Sequence, residues 1–143
     1  MTLAGLLKIK GKTQILTIKA NASVAEAAII LTENKIGALL VETDTGEIAG
    51  ILSERDIVGG MGPHGADLHN VLVSELMTSN IIRCKPDDSV LEAMAMMTDR
   101  RIRHLPVFDG QDLIGFISVG DLVKCRIAEV QSEAEAMRQY IAS

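Results

Sequence analysis

Aromatic side chains are scarce in this chain. Only 2% of its 143 residues are aromatic and tryptophan is absent, although 48% are hydrophobic. A chain of this length buries roughly two-thirds of its unfolded surface in one domain, so the core must be built from aliphatic side chains and methionine. Such a composition favours layers of helix packed on sheet.

The chain has fewer basic than acidic residues, 14 against 19, and no long apolar run. The formal net charge is -5 and the isoelectric point is near 5.1, which argues against nucleic acid because phosphate backbones bind basic surfaces. The apolar stretches are short, as at Ile36–Val41, whereas a helix needs about 20 apolar residues to span a bilayer. We therefore predict no nucleic-acid partner and no membrane partner.

Cysteine and histidine are too scattered to suggest a metal site. Cys84 and Cys125 form no Cys-x-x-Cys motif, and His64, His69 and His104 lack the spacing of metal ligands. Reduced thiols of this kind are typical of the cytoplasm, where we expect the protein. A hydrolase needs a nucleophile, a base and an oxyanion site together. Because no such set can be placed, we predict neither an enzyme nor a catalytic cofactor.

An internal repeat is the strongest feature of the sequence. Ser23–Ala27 aligns with Ser89–Ala93 at an offset of 66 residues. After one deleted residue, Gly50–Asp56 aligns with Gly115–Asp121, and both segments read Gly-x-x-Ser-x-x-Asp. Self-similarity on this scale indicates two copies of one structural unit.

Each copy is predicted to begin with a short strand and a helix. The strands are expected at Ile15–Ile18 and Asn80–Cys84. Ser23 and Ser89 then stand as N-caps, each with a glutamate three residues later, which is the capping-box arrangement. Methionines follow at helical spacing in the second copy, and we interpret them as core packing: Met94, Met96 and Met97.

A hairpin and a second helix complete each copy. Asp44-Thr45-Gly46 and Asp109-Gly110 are turn sequences between apolar runs, which predicts antiparallel hairpins. The paired strands are expected at Gly37–Val41 with Ile48–Leu52, and at His104–Phe108 with Leu113–Ile117. A helix opens at Ser53 or Ser118, so the predicted order is β-α-β-β-α, twice.

These units, with Arg-His-Leu-Pro-Val at Arg103–Val107 in the second, resemble a tandem pair of CBS domains over about residues 13–125. The resemblance implies an α/β (α+β) fold with pseudo-twofold symmetry and two clefts that accept adenosine-containing ligands. It also implies a regulatory homodimer that reports cellular energy or redox state. We predict an N-terminal helix (1–12), a first repeat (13–72), a second repeat (73–125) and a C-terminal helical extension (126–143). With no catalytic domain in the sequence, the regulated target is expected to be another, unknown protein.

The Ser-x-x-Asp segments have the chemistry of a nucleotide site. Ser53 and Ser118 stand where a strand gives way to a helix, so free backbone N–H groups and the helix dipole are expected to attract phosphate. Asp56 and Asp121 are suited to accept hydrogen bonds from a ribose 2′,3′-diol. The same pattern also caps a helix, for about 1 kcal/mol. Its recurrence behind the same glycine favours the ligand-binding interpretation.

The two predicted clefts are unequal. Arg101, Arg103 and His104 surround the second, whereas Lys35, Gly37 and Ala38 take the matching places in the first, so we expect the Asp121 cleft to hold phosphate more firmly. The resemblance adds flanking residues from the other repeat. The full Asp121 set is Gln14, Leu16, Ile18, Ile36, Gly37, Arg103, His104, Ser118 and Asp121. The Asp56 set is Ala38, Ser53, Arg55, Asp56, Ile82 and Arg83.

The identity of the ligand stays open at this point. AMP, ADP, ATP and NAD(H) all fit the expected chemistry, and one elongated dinucleotide shared by both clefts is an alternative to two mononucleotides. A second hypothesis is a ligand-free dimeric interaction scaffold in which Ser-x-x-Asp only caps helices. The third is a nucleotide-processing enzyme, which would turn over the bound ligand.

The letters Gly-x-Gly-x-x-Gly at Gly60–Gly65 are not interpreted as a dinucleotide fingerprint. That motif must leave a strand and open a helix, whereas here it follows the first turn of a helix and contains Pro63. We expect Gly59–Gly65 to form a flexible link between the repeats.

Both ends of the chain are predicted to be helical. A short helix is expected to stop at Gly11, and a long one to run from about Val119 to Ala142, extending about 36 Å at about 1.5 Å per residue. Apolar residues in the second follow heptad spacing, which is typical of a coiled-coil contact with another subunit. The seam consists of Val123, Ile127, Val130, Ala134, Met137 and Ile141.

Overall fold

The computed structural model describes residues 1–11 and 14–143. It confirms a mixed α/β fold with an N-terminal helix and a long C-terminal helix. A 3₁₀ helix, Gly65–Asn70, lies between α3 and α4. The other elements are α1 (Leu3–Lys10), β1 (Thr17–Lys19), α2 (Val24–Asn34), β2 (Ala38–Glu42), β3 (Ile48–Ser53), α3 (Glu54–His64), α4 (Val73–Leu76), α5 (Val90–Arg100), β4 (His104–Asp109), β5 (Asp112–Ser118) and α6 (Val119–Ala142).

The chain forms two compact units. One comprises Leu16–Ile81 and contains the first repeat; the other joins Met1–Ile15 to Ile82–Ser143 and contains the second. We call them the first-repeat unit and the second-repeat unit. Helix α1 therefore belongs to the second-repeat unit, although it precedes the first repeat in the sequence. The predicted repeat limits at 72 and 73 stay a prediction, and the predicted join at 12 and 13 lies outside the described residues.

The sheet of the first-repeat unit has the order β1-β2-β3. Strand β1 runs parallel to β2, and β2 pairs antiparallel with β3, with Ala38 opposite Ser53. The buried aliphatic core predicted from composition packs around these strands, each large side chain contributing about 1.5–3 kcal/mol when fully buried. Its buried members are Ile18, Ala27, Leu31, Leu39, Val41, Leu52 and Val73.

The second-repeat unit has a two-stranded sheet, β4-β5. The predicted first strand at Asn80–Cys84 is wrong in extent, because only Cys84 forms a bridge, parallel to Val107. Cys84 N–H donates to Pro106 O at 3.0 Å, and Phe108 N–H donates to Cys84 O at 2.8 Å. The next bond of the ladder would need an N–H at Pro106, which proline lacks. Pro106 therefore ends the parallel pairing after one bridge, whereas the residue aligned with it in the first repeat has an N–H and allows β1 to pair with β2.

Helices α1 and α4 dock in equivalent ways on opposite repeats. Thr2 forms an antiparallel bridge with Ser89, and Leu72 forms one with Ser23. Immediately after these bridges, Leu3 N–H donates to Asp88 O at 2.9 Å, and Val73 N–H donates to Ala22 O at 2.8 Å. Each short helix thus covers the start of a longer helix, α5 or α2.

The predicted helix starts and core methionines are confirmed. Ser23 and Ser89 cap α2 and α5, each accepting a hydrogen bond from the backbone N–H three residues later. The return bond from the glutamate side chain is not formed at these two described helix starts, so only half of each predicted capping box is present. Met97 is buried in the core of the second-repeat unit, and Met94 and Met96 pack against that core.

The flexible link predicted at Gly59–Gly65 is wrong. Helix α3 continues through this segment to His64, with Pro63 inside it, and the 3₁₀ helix follows directly. Gly60 is buried, and a Cβ there would lie 2.9 Å from methyl carbons of both Leu68 and Leu76. The glycine therefore permits close packing of neighbouring segments.

Helix α6 confirms the predicted C-terminal helix and carries an exposed apolar stripe. Val123, Ile127, Val130, Met137 and Ile141 are between 39% and 76% exposed within the chain. The described helices include none that is long and apolar enough to cross a membrane.

Candidate functional site

Both Ser-x-x-Asp segments form complete capping boxes at the starts of α3 and α6. Ser53 Oγ accepts from Asp56 N–H at 3.2 Å, while Asp56 Oδ2 accepts from Ser53 N–H at 2.9 Å. The same two bonds join Ser118 and Asp121, also at 3.2 and 2.9 Å. All four residues are half-buried. The backbone and side chains of the two segments are thus arranged alike.

Sheet pairing places different residues beside the two boxes. His104 lies opposite Ser118, and Val119 N–H donates to Arg103 O at 2.8 Å. In the first-repeat unit Ala38 lies opposite Ser53, and Glu54 N–H donates to Gly37 O at 2.9 Å. The structure therefore brings His104 and the backbone of Arg103 to the Asp121 box, and Ala38 and the backbone of Gly37 to the Asp56 box.

Phe116 adds an aromatic ring to the Asp121 box that sequence reasoning missed. Its ring stacks on the imidazole of His104, with centroids 5.4 Å apart and planes inclined by 28°. Alternate residues of a strand share a face, so Phe116 and Ser118 point the same way from β5. This alternation in the sequence could have predicted that Phe116 lies on the same face as Ser118.

The expectation of free N–H groups at the helix starts needs correction. In α6 the Val119 N–H is taken by Arg103 O, and the Asp121 N–H is taken by Ser118 Oγ. The equivalent bonds are made in α3. Two of the first three N–H groups of each helix are thus already paired, so the backbone offers a phosphate fewer donors than expected.

Lys10 contacts the Asp121 carboxylate, and sequence reasoning missed it. Lys10 Nζ lies 2.9 Å from Asp121 Oδ2 and also donates to Phe116 O at 3.2 Å. Burial raises the pKa of Asp121, but the Ser118 N–H and the Lys10 ammonium outweigh it and lower the pKa below its usual value. Asp121 therefore remains a carboxylate, partnered by a cation from α1.

The glycine of each Gly-x-x-Ser-x-x-Asp segment has a packing role. A Cβ on Gly115 would lie 2.5 Å from Leu7 Cδ2, so α1 lies directly against β5. A Cβ on Gly50 would lie 2.6 Å from Thr78 O, in the segment that follows α4. Both glycines are needed for close approach of a neighbouring segment.

The other predicted site residues are distributed over both units. In the first-repeat unit, Ile18 lies on β1 with only 6% exposure, so it offers a ligand little surface, whereas Leu16 and Ile36 are half-buried beside the same core. Arg55 is exposed on α3. In the second-repeat unit, Gln14 is exposed, Ile82 packs against the core, and the Arg83 guanidinium lies 4.1 Å from the centroid of the Phe108 ring.

No cluster that could hold a metal ion is found in residues 1–11 and 14–143. Cys84 is a buried free thiol, and Cys125 is a half-buried one. Burial, and then the charge of Asp88, raises the pKa of Cys84 to about 11. A thiol held protonated in this way is a core side chain and a poor nucleophile.

Comparison with known proteins settles the family. The family model for the CBS domain matches residues 11–62 and 73–127. The chain belongs to the CBS-domain family. Both matched ranges contain one of the Ser-x-x-Asp boxes described above, so the repeat predicted from sequence is a CBS-domain pair.

Relatives of this CBS pair include proteins from plants and bacteria. It is 34% identical to the CBS domain-containing protein CBSX3, mitochondrial, of Arabidopsis thaliana, covering 98% of this chain and 71% of that protein. The crystal structure of a CBS-domain containing protein from Agrobacterium tumefaciens is 38% identical, covers 87% of this chain and 92% of its own, and has a TM-score of 0.84. CBSX2 in complex with AMP has a TM-score of 0.72 at 22% identity, covering 89% of this chain and 96% of that one.

Proposed function

We propose that this CBS pair is a regulatory module that binds an adenine nucleotide at its Ser-x-x-Asp helix starts. The observation that carries the proposal is the capping box built twice, each time with a half-buried carboxylate at the join of a strand and a helix. A residue that only caps a helix does not need to recur at the same place in both repeats. A carboxylate held rigidly at this place is suited to accept two hydrogen bonds from a ribose diol.

The Asp121 start is proposed as the stronger of the two sites. His104 lies opposite Ser118 in the pairing of β4 with β5, and Arg103, which directly precedes β4, accepts a hydrogen bond from Val119 N–H through its carbonyl. A guanidinium recognises phosphate in bidentate geometry, and the first-repeat unit offers Gly37 and Ala38 at the same places. This difference supports a ligand that carries at least one phosphate, so AMP, ADP, ATP and NAD(H) are the candidates.

The AMP complex of CBSX2 is consistent with this choice of ligand. At 22% identity it shows a shared fold alone. The proposal for this chain therefore depends on its own residues, in particular Ser118, Asp121 and Arg103. Ligand occupancy would report the adenylate or redox state of the cytoplasm to a target protein.

Homodimerisation through α6 is part of the proposal. The apolar stripe of α6 follows heptad spacing and is left exposed by the rest of the chain. Glutamates and basic residues flank it, which is the pattern that selects a partner helix. Sedimentation velocity should show a dimer, and Val130→Glu should shift it to a monomer. Unchanged sedimentation of this variant would contradict the α6 contact.

A ligand-free interaction scaffold is the second candidate, and one observation favours it. Asp121 already has partners in Ser118 and Lys10, and Asp56 has them in Ser53. A carboxylate satisfied in this way stabilises the helix start with no ligand present.

Titration calorimetry with AMP, ADP, ATP, NADH and S-adenosylmethionine tests the proposal. We expect saturable binding of at least one adenylate, with weaker binding after Asp121→Ala. Folded protein that binds none of them would refute nucleotide sensing and leave the scaffold. Chromatography of each mixture after incubation tests for turnover, and a new product would indicate an enzyme.

A further inference from the structure

Helix α1 reaches further along its unit than its counterpart α4. Both dock by the same bridge and hydrogen bonds, but α1 runs for 8 residues and α4 for 4. The additional turn of α1 carries Lys10 to the start of α6. In the first-repeat unit, the chain leaves the helix after Leu76, and Thr78 bridges Ile51 on β3.

The packing of α1 sets the backbone position of its last turn, which carries Lys10. Leu3 is fully buried and Leu6 is 4% exposed, and both belong to the core of the second-repeat unit. Leu7 sits against Gly115 on β5. These contacts place the last turn of α1 beside β5 and the start of α6, within reach of Asp121 for the Lys10 side chain.

The ammonium of Lys10 lies where a ribose would bind. It is 2.9 Å from Asp121 Oδ2, the same oxygen that accepts from Ser118 N–H. A second bond to Phe116 O, at 3.2 Å, holds it between strand and helix. A ribose diol uses both oxygens of a carboxylate, so diol and ammonium compete for Oδ2.

We propose that Lys10 is an internal competitor for the Asp121 nucleotide site, which a ligand's ribose must displace before it binds. This inference rests on the proposed function, since it assumes that Asp121 receives a ribose. Lys10 then lowers the affinity of this site, and occupancy by a nucleotide frees the end of α1. The competitor and the site belong to the same compact unit.

Among residues 1–11 and 14–143, the structure shows no ammonium on Asp56 to match Lys10 on Asp121. Its Oδ2 accepts from the N–H and the hydroxyl of Ser53, at 2.9 and 3.0 Å. Within its own unit, no salt bridge reaches Asp56 among the residues that the structure describes. The competition therefore affects one of the two helix starts, the one that carries Arg103 and His104.

Adenosine is the appropriate probe because it presents the ribose without a charged phosphate. Calorimetric titrations would compare the adenosine affinity of the protein that keeps Lys10 with that of Lys10→Gln. Both proteins would carry Asp56→Ala, which isolates the Asp121 site. Lys8→Gln is the matched control, because Lys8 lies in the same last turn of α1 and its substitution removes the same charge. Far-UV circular dichroism would verify that each variant is folded.

We expect Lys10→Gln to bind adenosine about two- to fivefold more tightly, as expected for loss of a partly exposed ion pair. Lys8→Gln should leave the affinity unchanged. Raising the salt concentration should strengthen adenosine binding while Lys10 is present and have no effect after Lys10→Gln, because salt screens the pair that adenosine must break.

Equal or weaker binding of adenosine to Lys10→Gln would overturn the competition and leave the proposed function intact. Binding of AMP without any binding of adenosine would also overturn it, because Asp121 would then not be a ribose site. If adenosine, AMP, ADP, ATP and NADH all failed to bind every variant, nucleotide binding itself would fail, and this inference with it.

Discussion

The two Ser-x-x-Asp helix starts share their local structure and differ in the charged and aromatic residues beside them. Each has a capping box with the same bond lengths, and each follows a buried glycine that a neighbouring segment approaches closely. Around Asp121 the chain adds Arg103, His104 and Lys10, whereas around Asp56 it places Gly37 and Ala38. The comparison shows that a duplicated motif preserves a scaffold, while residues outside the motif decide its electrostatics.

The largest expected effect is a difference in nucleotide affinity between Asp121→Ala and Asp56→Ala. Loss of hydrogen bonds to a charged group costs about 1.5–3 kcal/mol, so AMP should bind Asp121→Ala about ten- to a hundredfold more weakly. Asp56→Ala should change AMP affinity less than Asp121→Ala does. Isothermal titration calorimetry on both variants measures this directly.

Chemical denaturation provides the control for that comparison. Each alanine removes half of a capping box, which should lower the free energy of unfolding by about 0.5–2 kcal/mol in both variants. A similar loss of stability with unequal loss of affinity supports unequal sites. Equal effects on AMP affinity would contradict the contrast drawn from Arg103 and His104.

A second contrast concerns the two glycines, Gly50 and Gly115. Overfilling a packed site costs about 1–3 kcal/mol, and Gly50→Ala should fall near the upper end because its new Cβ meets the backbone oxygen of Thr78. Gly115→Ala should cost less, because its Cβ meets the end of the Leu7 side chain, which can rotate. Urea denaturation of both variants gives the two free energies of unfolding.

The double variant Leu7→Ala with Gly115→Ala tests the reason for this difference. Removing the Leu7 side chain relieves the contact, so the two substitutions should be less destabilising together than the sum of their separate effects. Strict additivity would show that Leu7 is not what limits the space at Gly115.

The smallest expected effect is the pH dependence of the Lys10–Asp121 pair. The pKa of Asp121 is lowered in the folded protein, so its stabilising contribution is present above the unfolded pKa and is lost as the pH falls through the folded pKa. Lys10→Gln should therefore lower the free energy of unfolding by up to about 1 kcal/mol at pH 6. This difference should shrink as the pH falls below about 4.

Denaturation curves at pH 6 and pH 3 for the unmodified chain, Lys10→Gln and Lys8→Gln measure this effect. Lys8 forms no salt bridge in the described part of the chain, so its variant should follow the unmodified protein at both pH values. If Lys10→Gln lowered the free energy of unfolding as much at pH 3 as at pH 6, the lost stability would not come from the ion pair with Asp121.

Periodicity and turn chemistry predicted the longer helices and both hairpins, but not the 3₁₀ helix at Gly65–Asn70 or the short α4. The serine caps and the Asp-Gly turn report local preferences that tertiary structure here follows, and the offset between repeats located the hairpins. The extent of the strand at Asn80–Cys84 was missed because it depends on a partner residue, Pro106, whose absent N–H ends the ladder. Gly60 was misread as flexible because its role is packing against distant leucines.

The candidate site was predictable only where its residues lie within the motif. The capping boxes were expected, and sheet pairing places His104 opposite Ser118, while the binding roles of Arg103 and His104 stay predictions. Lys10 was missed because 111 residues separate it from Asp121. No local pattern marks such a contact, since it depends on how α1 docks on the second repeat.

The docking of α1 on the second repeat also has a consequence for synthesis on the ribosome. The first-repeat unit is one continuous stretch, so it can fold as soon as Ile81 has emerged. Helix α1 is translated before that stretch, but its hydrogen-bonding partners at Pro86 and Asp88 are made after it. Helix α1 must therefore wait, with Leu3 and Leu6 uncovered, until the second repeat is available.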